Sequence, residues 1–239
     1  MNDIKLLNTW IKNSSNIVFF GGAGVSTESG IKDFRSKDGL YNEKYKYPPE
    51  EILSHHFFQK NTQEFYEFYR HKLNCLNIKP NICHYYLTKL EQSHKLKAII
   101  TQNIDGLHQK AGSKNVIELH GSIYRNHCQK CHKFYPPETI FNSNTIPRCT
   151  CSGLIKPDVV LYEEPLDEKC ITDTIKYISN ANLLIIAGTS LTVYPASSFI
   201  NYFHGKYLVI INKDTTHLDN IANLVLNKSI GEVFSQLEI

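Results

Sequence analysis

The hydrophobic positions of this chain fall into short continuous runs, separated by longer segments in which apolar residues recur at helical spacing. Five runs rich in β-branched and bulky apolar residues cover residues 17–20, 98–101, 116–119, 183–187 and 207–211. Continuous runs of this length are typical of parallel strands that are buried on both faces. We therefore predict a strand at each run.

Segments with helical spacing lie before and between these runs. They predict helices over residues 3–13, 84–93 and 168–179. A further helix is predicted to begin within residues 26–30, directly after the first strand and its glycines. Alternation of strands and helices favours an α/β fold with a doubly wound parallel sheet.

Two segments interrupt this alternation and are interpreted as insertions. Residues 36–95 are mostly helical and aromatic, and residues 121–156 contain a cysteine cluster. We predict one domain over residues 1–239. Its large lobe is formed by residues 1–35, 96–120 and 157–239, and its smaller lobe by the two insertions.

Composition excludes several classes of protein. The 239 residues include 26 Lys+Arg and 23 Asp+Glu, a formal net charge of +3, which is too small to indicate nucleic-acid or membrane-surface binding. No apolar stretch approaches the ~18 residues of a membrane span, and the first residues do not resemble a secretory signal. We expect a soluble, cytoplasmic protein without nucleic-acid or membrane partners, and its oligomeric state stays open.

Small and polar residues follow three of the predicted strands. Gly22, Ala23 and Gly24 follow the first strand, and Thr27 stands where the G-x-G-x-x-G fingerprint has its third glycine. Backbone N–H groups and the start of a helix at this loop would suit a dinucleotide pyrophosphate, although a tight turn is the alternative. Small or polar residues also follow the strands at 183–187 and 207–211, namely Gly188, Thr189 and Ser190 after the first and Asn212 after the second. Such strand ends converge on one ligand in an open α/β sheet.

Catalytic residue types follow two other predicted strands. Gln102, Asn103 and Asp105 come after the strand at 98–101, and His120 follows the strand at 116–119. An amide, a carboxylate and an imidazole would then meet at one edge of the sheet. Each of them alone is more often structural than catalytic.

Five motifs together resemble the sirtuins, the NAD-dependent protein deacylases. They are residues 22–35 (GAGVSTESGIKDFR), 101–108 (TQNIDGLH), 118–121 (ELHG), the paired cysteines and 188–191 (GTSL). The resemblance runs from about residue 3 to the C-terminus and is closest to the bacterial deacetylases. It implies a Rossmann-like lobe with a smaller zinc-ribbon and helical lobe. It also implies NAD as co-substrate, acylated-lysine proteins or peptides as substrates, and nicotinamide and O-acetyl-ADP-ribose as products.

The resemblance also implies roles for individual residues. His120 matches the general base that deprotonates a ribose hydroxyl, and Asn103 matches the residue beside the ribose and its attacking water. Asp105, with the backbone near Ile104, matches the position that holds the nicotinamide carboxamide. Phe34 would shield the reacting face from water, and Arg35 would contact phosphate or hold Asp33 in place. The implied cofactor-binding set is Gly22, Ala23, Gly24, Thr27, Asp33, Phe34, Arg35, Gln102, Asn103, Ile104, Asp105, Gly188, Thr189, Ser190 and Asn212.

Four of the seven cysteines have spacing typical of metal ligands. The four are Cys128, Cys131, Cys149 and Cys151. The first pair has ordinary C-x-x-C zinc spacing, whereas the second is one residue tighter, and the flanking His127 and His132 are possible substitutes. A closed set of four thiolates predicts structural Zn²⁺ with no open position for catalysis. The remaining cysteines are expected to be packing residues.

Residues 156–164 resemble the sirtuin stretch that pairs with an extended peptide and lines the acyl-lysine tunnel. Val160 and Tyr162 are the expected substrate contacts, and Glu163 stands where many sirtuins have glycine.

The choice of acyl group depends on a short helical segment. Sirtuins that prefer succinyl or malonyl lysine carry Tyr-x-x-Arg, whereas here Tyr69 follows Tyr66 at that spacing and Arg70 comes one residue later. Acetyl is therefore favoured over desuccinylation, demalonylation or another deacylation. If these residues have no role in specificity, they form an ordinary amphipathic helix surface. The sequence is also compatible with mono-ADP-ribosyl transfer and with a noncatalytic NAD-sensing module.

Overall fold

A computed structural model describes residues 3–34, 39–42 and 45–238 of the chain. The strands of this part are β1 (Ile17–Gly21), β2 (Leu96–Thr101), β3 (Val116–Glu118), β4 (Gly121–Cys128), β5 (Phe134–Tyr135), β6 (Ile155–Val159), β7 (Leu183–Ala187), β8 (Tyr207–Ile211) and β9 (Leu224–Leu226). Its α-helices are α1 (Asp3–Asn13), α2 (Pro49–Ile52), α3 (His55–Lys60), α4 (Thr62–Lys72), α5 (Ile82–Gln92), α6 (Leu107–Ala111), α7 (Glu138–Phe141), α8 (Glu168–Asn180) and α9 (Ile230–Phe234).

Six strands form a parallel sheet in the order β3-β2-β1-β7-β8-β9. The chain builds outward from β1 in both directions, so the strand order reverses between β1 and β7. This reversal is the switch point at which open α/β sheets bind ligands. The five predicted strands and the doubly wound fold are confirmed, whereas β9 was not predicted.

Both faces of this sheet are covered, as the continuous apolar runs predicted. Along β1, Ile17 and Phe19 face a core that includes α1, α5 and α9, and Val18 and Phe20 face a second core that includes α8. All four side chains are fully buried. The alternation of direction along a strand explains why every position must be apolar here.

The small lobe combines an antiparallel sheet, β5-β4-β6, with helices α2, α3, α4 and α7. Its core is rich in aromatic side chains. Phe65 stacks on Tyr69, and Tyr69 stacks in turn on Phe141 of α7 with ring centroids 5.4 Å apart. This aromatic packing joins the helical insertion to the insertion that contains the cysteines.

Two predicted lobe boundaries differ from the structure. Helix α5 lies in the predicted helical insertion, but it packs on the large sheet through Cys83, Leu87 and Leu90. Strand β6 belongs to the small sheet, whereas the prediction places residues from 157 onward in the large lobe. Helix α5 packs on the large sheet because its apolar face is buried there. Strand β6 was not predicted because Pro157 interrupts the pattern expected of a strand.

The helix predicted to begin within residues 26–30 is also a wrong prediction. The chain instead forms two 3₁₀ turns, Ala23–Val25 and Thr27–Ser29, and Gly30 ends the second in a left-handed conformation with φ +92°. No helix within the described ranges is long and apolar enough to cross a membrane.

Candidate active site

A cavity of about 1140 Å³ opens at the carboxyl ends of the large sheet, against the small lobe. Every predicted catalytic, cofactor and substrate residue that the structure describes lines this cavity, with the exception of Gly22. Arg35 lies outside the described residues. Residues that follow five strands, β1, β2, β3, β7 and β8, meet the 159–164 segment around one space.

The glycine loop after β1 packs directly on the loop after β7. Gly24 N donates to Gly188 O at 2.8 Å, and a Cβ added to Gly24 would lie 2.7 Å from Gly188 Cα. A Cβ added to Gly22 would lie equally close to Gly188 O. These glycines allow the two backbones to approach each other. The sequence predicts the start of a helix and its dipole here, but the structure has two 3₁₀ turns instead.

Side-chain amides and hydroxyls connect the strand ends to one another. Asn212 exchanges two hydrogen bonds with the backbone of Thr189, at 3.0 and 2.8 Å. Gln102 Nε2 donates to Thr189 Oγ1 at 3.1 Å. The ends of β2, β7 and β8 are therefore fixed relative to one another before any ligand binds.

A buried triad of Asn103, Ser26 and Asp105 lies at the inner end of the cavity. Ser26 Oγ donates to Asp105 Oδ2 at 2.6 Å and accepts from Asn103 Nδ2 at 3.1 Å. Sequence reasoning did not select Ser26, although it belongs to the glycine-loop motif, because only the fold brings it to Asp105. Ser26 thus sets the orientation of both predicted site residues.

Asp105 is a buried hydrogen-bond acceptor. Burial raises its pKa, which the hydrogen bonds from Ser26 and from Leu107 N oppose. Each carboxylate oxygen accepts one of these bonds and keeps a further lone pair. The group can therefore accept a hydrogen bond from an amide that enters the cavity.

His120 is held in one tautomer by the backbone. Its Nδ1 lies 3.0 Å from Gln102 O, and because a carbonyl oxygen only accepts, Nδ1 carries the proton. Nε2 is then left as the basic nitrogen. Burial lowers the pKa of His120, with the hydrogen bond to Gln102 O opposing this effect, so the imidazole is neutral at pH 7.

The segment 160–162 forms the opposite wall and is paired to its neighbours. Val160 N donates to His120 O, and Tyr162 N donates to Leu53 O, both at 2.9 Å. Glu163 adopts a left-handed conformation with φ +75°, and its carboxylate accepts from His56 N at the start of α3. This contact explains how a residue other than glycine is held at that position.

Tyr66 and Arg70 do not line the cavity. Tyr66 is fully buried and donates to Ile155 O, while Arg70 Nη1 donates to Thr145 O at 3.0 Å. Tyr69 is fully buried in the small-lobe core. The interpretation of these tyrosines as an amphipathic surface is therefore wrong. The adjoining wall of the cavity includes apolar Leu53, Leu73, Cys75, Ile104, Val159 and Leu161. His71 and Lys72, at the end of α4, also line the cavity.

The four cysteines with metal spacing converge in the small lobe. Their sulfur atoms lie within 4.8 Å of one another, and three of the Sγ–Sγ distances are 3.4–3.5 Å. Zinc with bonds of about 2.3 Å needs edges of about 3.8 Å, so the set fits a structural Zn²⁺. His127 instead packs against Phe134, and neither it nor His132 belongs to the cluster. None of the four cysteines lines the cavity.

A parallel sheet with its cleft at a switch point, beside a lobe with a four-cysteine metal site, defines a Rossmann-like protein with a zinc-binding small lobe. The Sir2 family profile matches residues 22–195. An NAD-dependent protein deacetylase of Clostridium perfringens is 59% identical over 238 residues, 98% of each chain. The chain therefore belongs to the Sir2 family.

Solved structures extend this similarity to the whole fold. A Sir2 structure with a deacetylated p53 peptide and 3′-O-acetyl ADP ribose has a TM-score of 0.91 at 38% identity, covering 98% of this chain and 96% of that chain. A Sir2 structure with a p53 peptide and NAD⁺ has a TM-score of 0.87 at 38% identity, covering the same shares of both chains.

Proposed function

We propose that this protein removes acetyl groups from protein lysines with NAD as co-substrate, releasing nicotinamide and O-acetyl-ADP-ribose. The observation that carries the proposal is the cavity in which a neutral His120 and the Asn103–Ser26–Asp105 triad face one space. The similarity to named NAD-dependent protein deacetylases along almost the full chain supports it.

The residues at the strand ends fit NAD. Gly22 and Gly24 bring the loop after β1 against Gly188, which leaves an extended polar cleft toward Ser190 and Asn212. The pyrophosphate would lie along the Ala23–Thr27 turns, with the adenosine toward Asn212. Phe34 packs on Tyr41 at the cavity edge, where it would exclude water from the reacting atoms. NAD supplies an electrophilic ribose carbon with nicotinamide as its leaving group.

The buried triad would orient the nicotinamide end. Asp105 would accept the carboxamide N–H, with Ile104 contributing backbone, and Ser26 would keep the carboxylate aligned. Asn103 would lie beside the ribose and its attacking water. These groups are already held in place before NAD binds. Polar groups that need no rearrangement during the reaction lower its activation barrier.

His120 would remove a proton from a ribose hydroxyl. Its Nε2 is the unprotonated nitrogen, since Nδ1 donates to Gln102 O. Because its pKa is lowered, His120 stays unprotonated at pH values below about 6.5, the ordinary pKa of histidine. The rate should therefore fall only as the pH drops through that lowered pKa.

The walls of the cavity support an uncharged acyl group on an extended peptide. The wall formed by Leu73, Cys75 and Leu161 offers apolar contact to an acetyl group. Arg70, the cation considered for a carboxylated acyl group, is bonded elsewhere. Val160 and Tyr162 would contact the peptide, and acetylated-lysine peptides are the proposed partners. Four thiols placed as metal ligands suit a reducing compartment, so we propose a cytoplasmic location.

The proposal is tested by incubating the zinc-loaded protein with NAD and either an acetyl-lysine or a succinyl-lysine peptide, followed by mass spectrometry. We expect acetyl loss only with NAD, and stoichiometric nicotinamide and O-acetyl-ADP-ribose. Faster succinyl loss would contradict the acyl assignment. Transfer of ADP-ribose to protein would contradict the deacetylase assignment and favour the transferase. NAD binding without turnover would favour the sensing module.

A further inference from the structure

A bulge interrupts the pairing of β4 with β6 beside the candidate active site. Gly121 and Ser122 pair with Val159 and Asp158, and pairing resumes at Asn126, opposite Pro157. Residues 123–125, the β4 bulge, are therefore extra residues on one strand. Bulges of this kind redirect side chains and are frequent next to active sites.

The first two residues of the β4 bulge contact the loop that carries Asp105. Ile123 N donates to Ile104 O at 3.1 Å. The ring of Tyr124 packs so closely on Gly106 that an added Cβ would lie 2.7 Å from a ring carbon. The bulge therefore packs on the loop after β2 that carries Asn103 and Asp105.

Arg125, the third residue of the β4 bulge, bridges two carboxylates from different sheets. Its Nη1 donates to Glu118 Oε2 at 2.6 Å, and its Nε donates to Asp158 Oδ2 at 2.8 Å. Glu118 ends β3, two residues before His120, and Asp158 lies in β6, two residues before Val160. The bridge therefore joins the strand that leads to His120 to the strand that leads to Val160.

The Glu118 half of this bridge differs from an ordinary surface ion pair, whereas the Arg125 and Asp158 side chains are 44% and 47% exposed. The Glu118 side chain is only 8% exposed, and its second oxygen accepts from Gln109 Nε2 at 2.9 Å. Bonds between a guanidinium and a shielded carboxylate are stronger and better defined than those of exposed pairs.

Resting on the proposed function, we propose that Arg125 is a positioning residue for the reaction. By bridging Glu118 and Asp158, it fixes the separation between His120 and the substrate segment at Val160. The hydrogen bond from Val160 N to His120 O is the contact that the bridge maintains. The two side-chain bonds of Arg125 lead to β3 and β6, and neither leads to the glycine loop after β1, where NAD would bind.

The test compares Arg125→Met with Arg125→Lys, and uses Lys169→Met as control. Lys169 forms an exposed ion pair with Asp173 on α8, away from the cavity, at 2.6 Å. We expect Arg125→Met to lower kcat/KM for an acetyl-lysine peptide about tenfold, because small misplacements of reacting groups are costly. KM for NAD should not change. Arg125→Lys should recover part of the loss, since an ammonium can contact one of the carboxylates.

Hydrogen exchange provides a readout that does not depend on turnover. We expect the amides of residues 159–162 to exchange faster in Arg125→Met than in wild type or Lys169→Met, with β7 unchanged. Unchanged exchange in residues 159–162 would overturn the inference whether or not the protein is active. Equal losses in peptide kinetics, NAD affinity and thermal stability would also overturn it, because they indicate a general structural role. A wild-type protein without NAD-dependent acetyl loss would overturn the proposed function, while the exchange result would still decide the role of Arg125.

Discussion

The large and small lobes are stabilised in different ways. The large lobe contains a six-stranded sheet with apolar cores on both faces, and its central strands β1 and β7 are buried at every position. The small lobe has a three-stranded sheet in which β5 is only two residues long, with Phe134 half-exposed. A sheet of that size needs a metal or added packing to be stable. The candidate catalytic and cofactor residues follow strands of the large lobe, which we expect to stay folded without zinc.

Zinc removal should give the largest effect and separate the lobes most clearly. We expect chelation, or Cys128→Ser, to abolish protection of residues 121–159 against hydrogen exchange, while β1 and β7 remain protected. Structural zinc contributes about 10–16 kcal/mol in small zinc-binding peptides, so the small lobe should not stay folded without it.

The matched control for this loss is Cys170→Ser, because Cys170 lies outside the four-cysteine cluster. Simultaneous loss of protection in β4 and β7 would show that the lobes unfold as one unit. Unchanged protection in β4 would show that zinc is not what stabilises the small lobe.

The next prediction concerns the large lobe alone. It tests the contact between the loop after β1 and the loop after β7. Gly188 has φ +60°, and an added Cβ would lie 2.4 Å from Val25 N. Gly188→Ala should therefore displace the loop after β1 and weaken NAD binding about 100-fold, measured by calorimetry.

Gly30→Ala controls for backbone strain in this comparison. Gly30 also has a positive φ, +92°, but an added Cβ would meet nothing within 4 Å. It should lower stability by about 1–2 kcal/mol and leave NAD affinity almost unchanged. Equal losses of NAD affinity in the two variants would contradict the close-approach explanation.

The large lobe is expected to be destabilised by low pH rather than by removal of the metal. His84 and His108 are buried with ring centroids 4.7 Å apart, and burial lowers the pKa of His84 to about 4. Unfolded histidine titrates near pH 6.5, so the stabilising effect of the neutral form is complete above that pH. It is lost as the pH falls toward 4, by about 2 kcal/mol between pH 6.5 and 5.

Urea unfolding at a series of pH values measures this loss. His84→Gln should flatten the fall in the free energy of unfolding between pH 6.5 and 5 relative to wild type. The zinc site contributes equally to both proteins, so the difference in slope reports on His84. Equal slopes in wild type and His84→Gln would contradict the prediction.

The smallest expected effect concerns the hydroxyl between Asn103 and Asp105. Ser26→Ala removes one donor and one acceptor and should lower kcat/KM about tenfold, the worth of a net hydrogen bond of about 1.4 kcal/mol. Ser29→Ala is the control, since Ser29 Oγ is buried without a partner in the described part of the chain. We expect no loss of activity in that variant. Similar losses in both would show that Ser26 does not act through the triad.

The sequence predicted the large lobe better than the small one, for physical reasons. Strands β1, β7 and β8 are uninterrupted apolar runs, and burial on both faces requires that pattern. Strand β9 has three residues, too few to show a period, and β6 contains Pro157. The segment after the glycine loop contains polar residues that suit a helix start, but its 3₁₀ turns follow from contact with Gly188, which is distant in sequence.

Candidate site residues were predictable where they belong to a motif and less so where a contact depends on the fold. His120, Asn103 and Asp105 lie in motifs directly after strands, and the structure brings them to one cavity. Ser26 meets Asp105 across 79 positions of sequence, and only strand order brings the two together. Arg125 gains its role from a bulge, which no local pattern indicates. The paired cysteines, in contrast, carried a spacing signal strong enough to predict the metal site.

The most direct test of the account is nicotinamide release by His120→Ala, measured with NAD and an acetyl-lysine peptide. NAD binding and zinc content should be measured alongside to show that both lobes are intact. If His120 is the general base, release should fall by a factor of about 10²–10⁴ while NAD still binds. Release at the wild-type rate from a folded, zinc-containing variant would contradict the assignment of the base and, with it, the proposed organisation of the site.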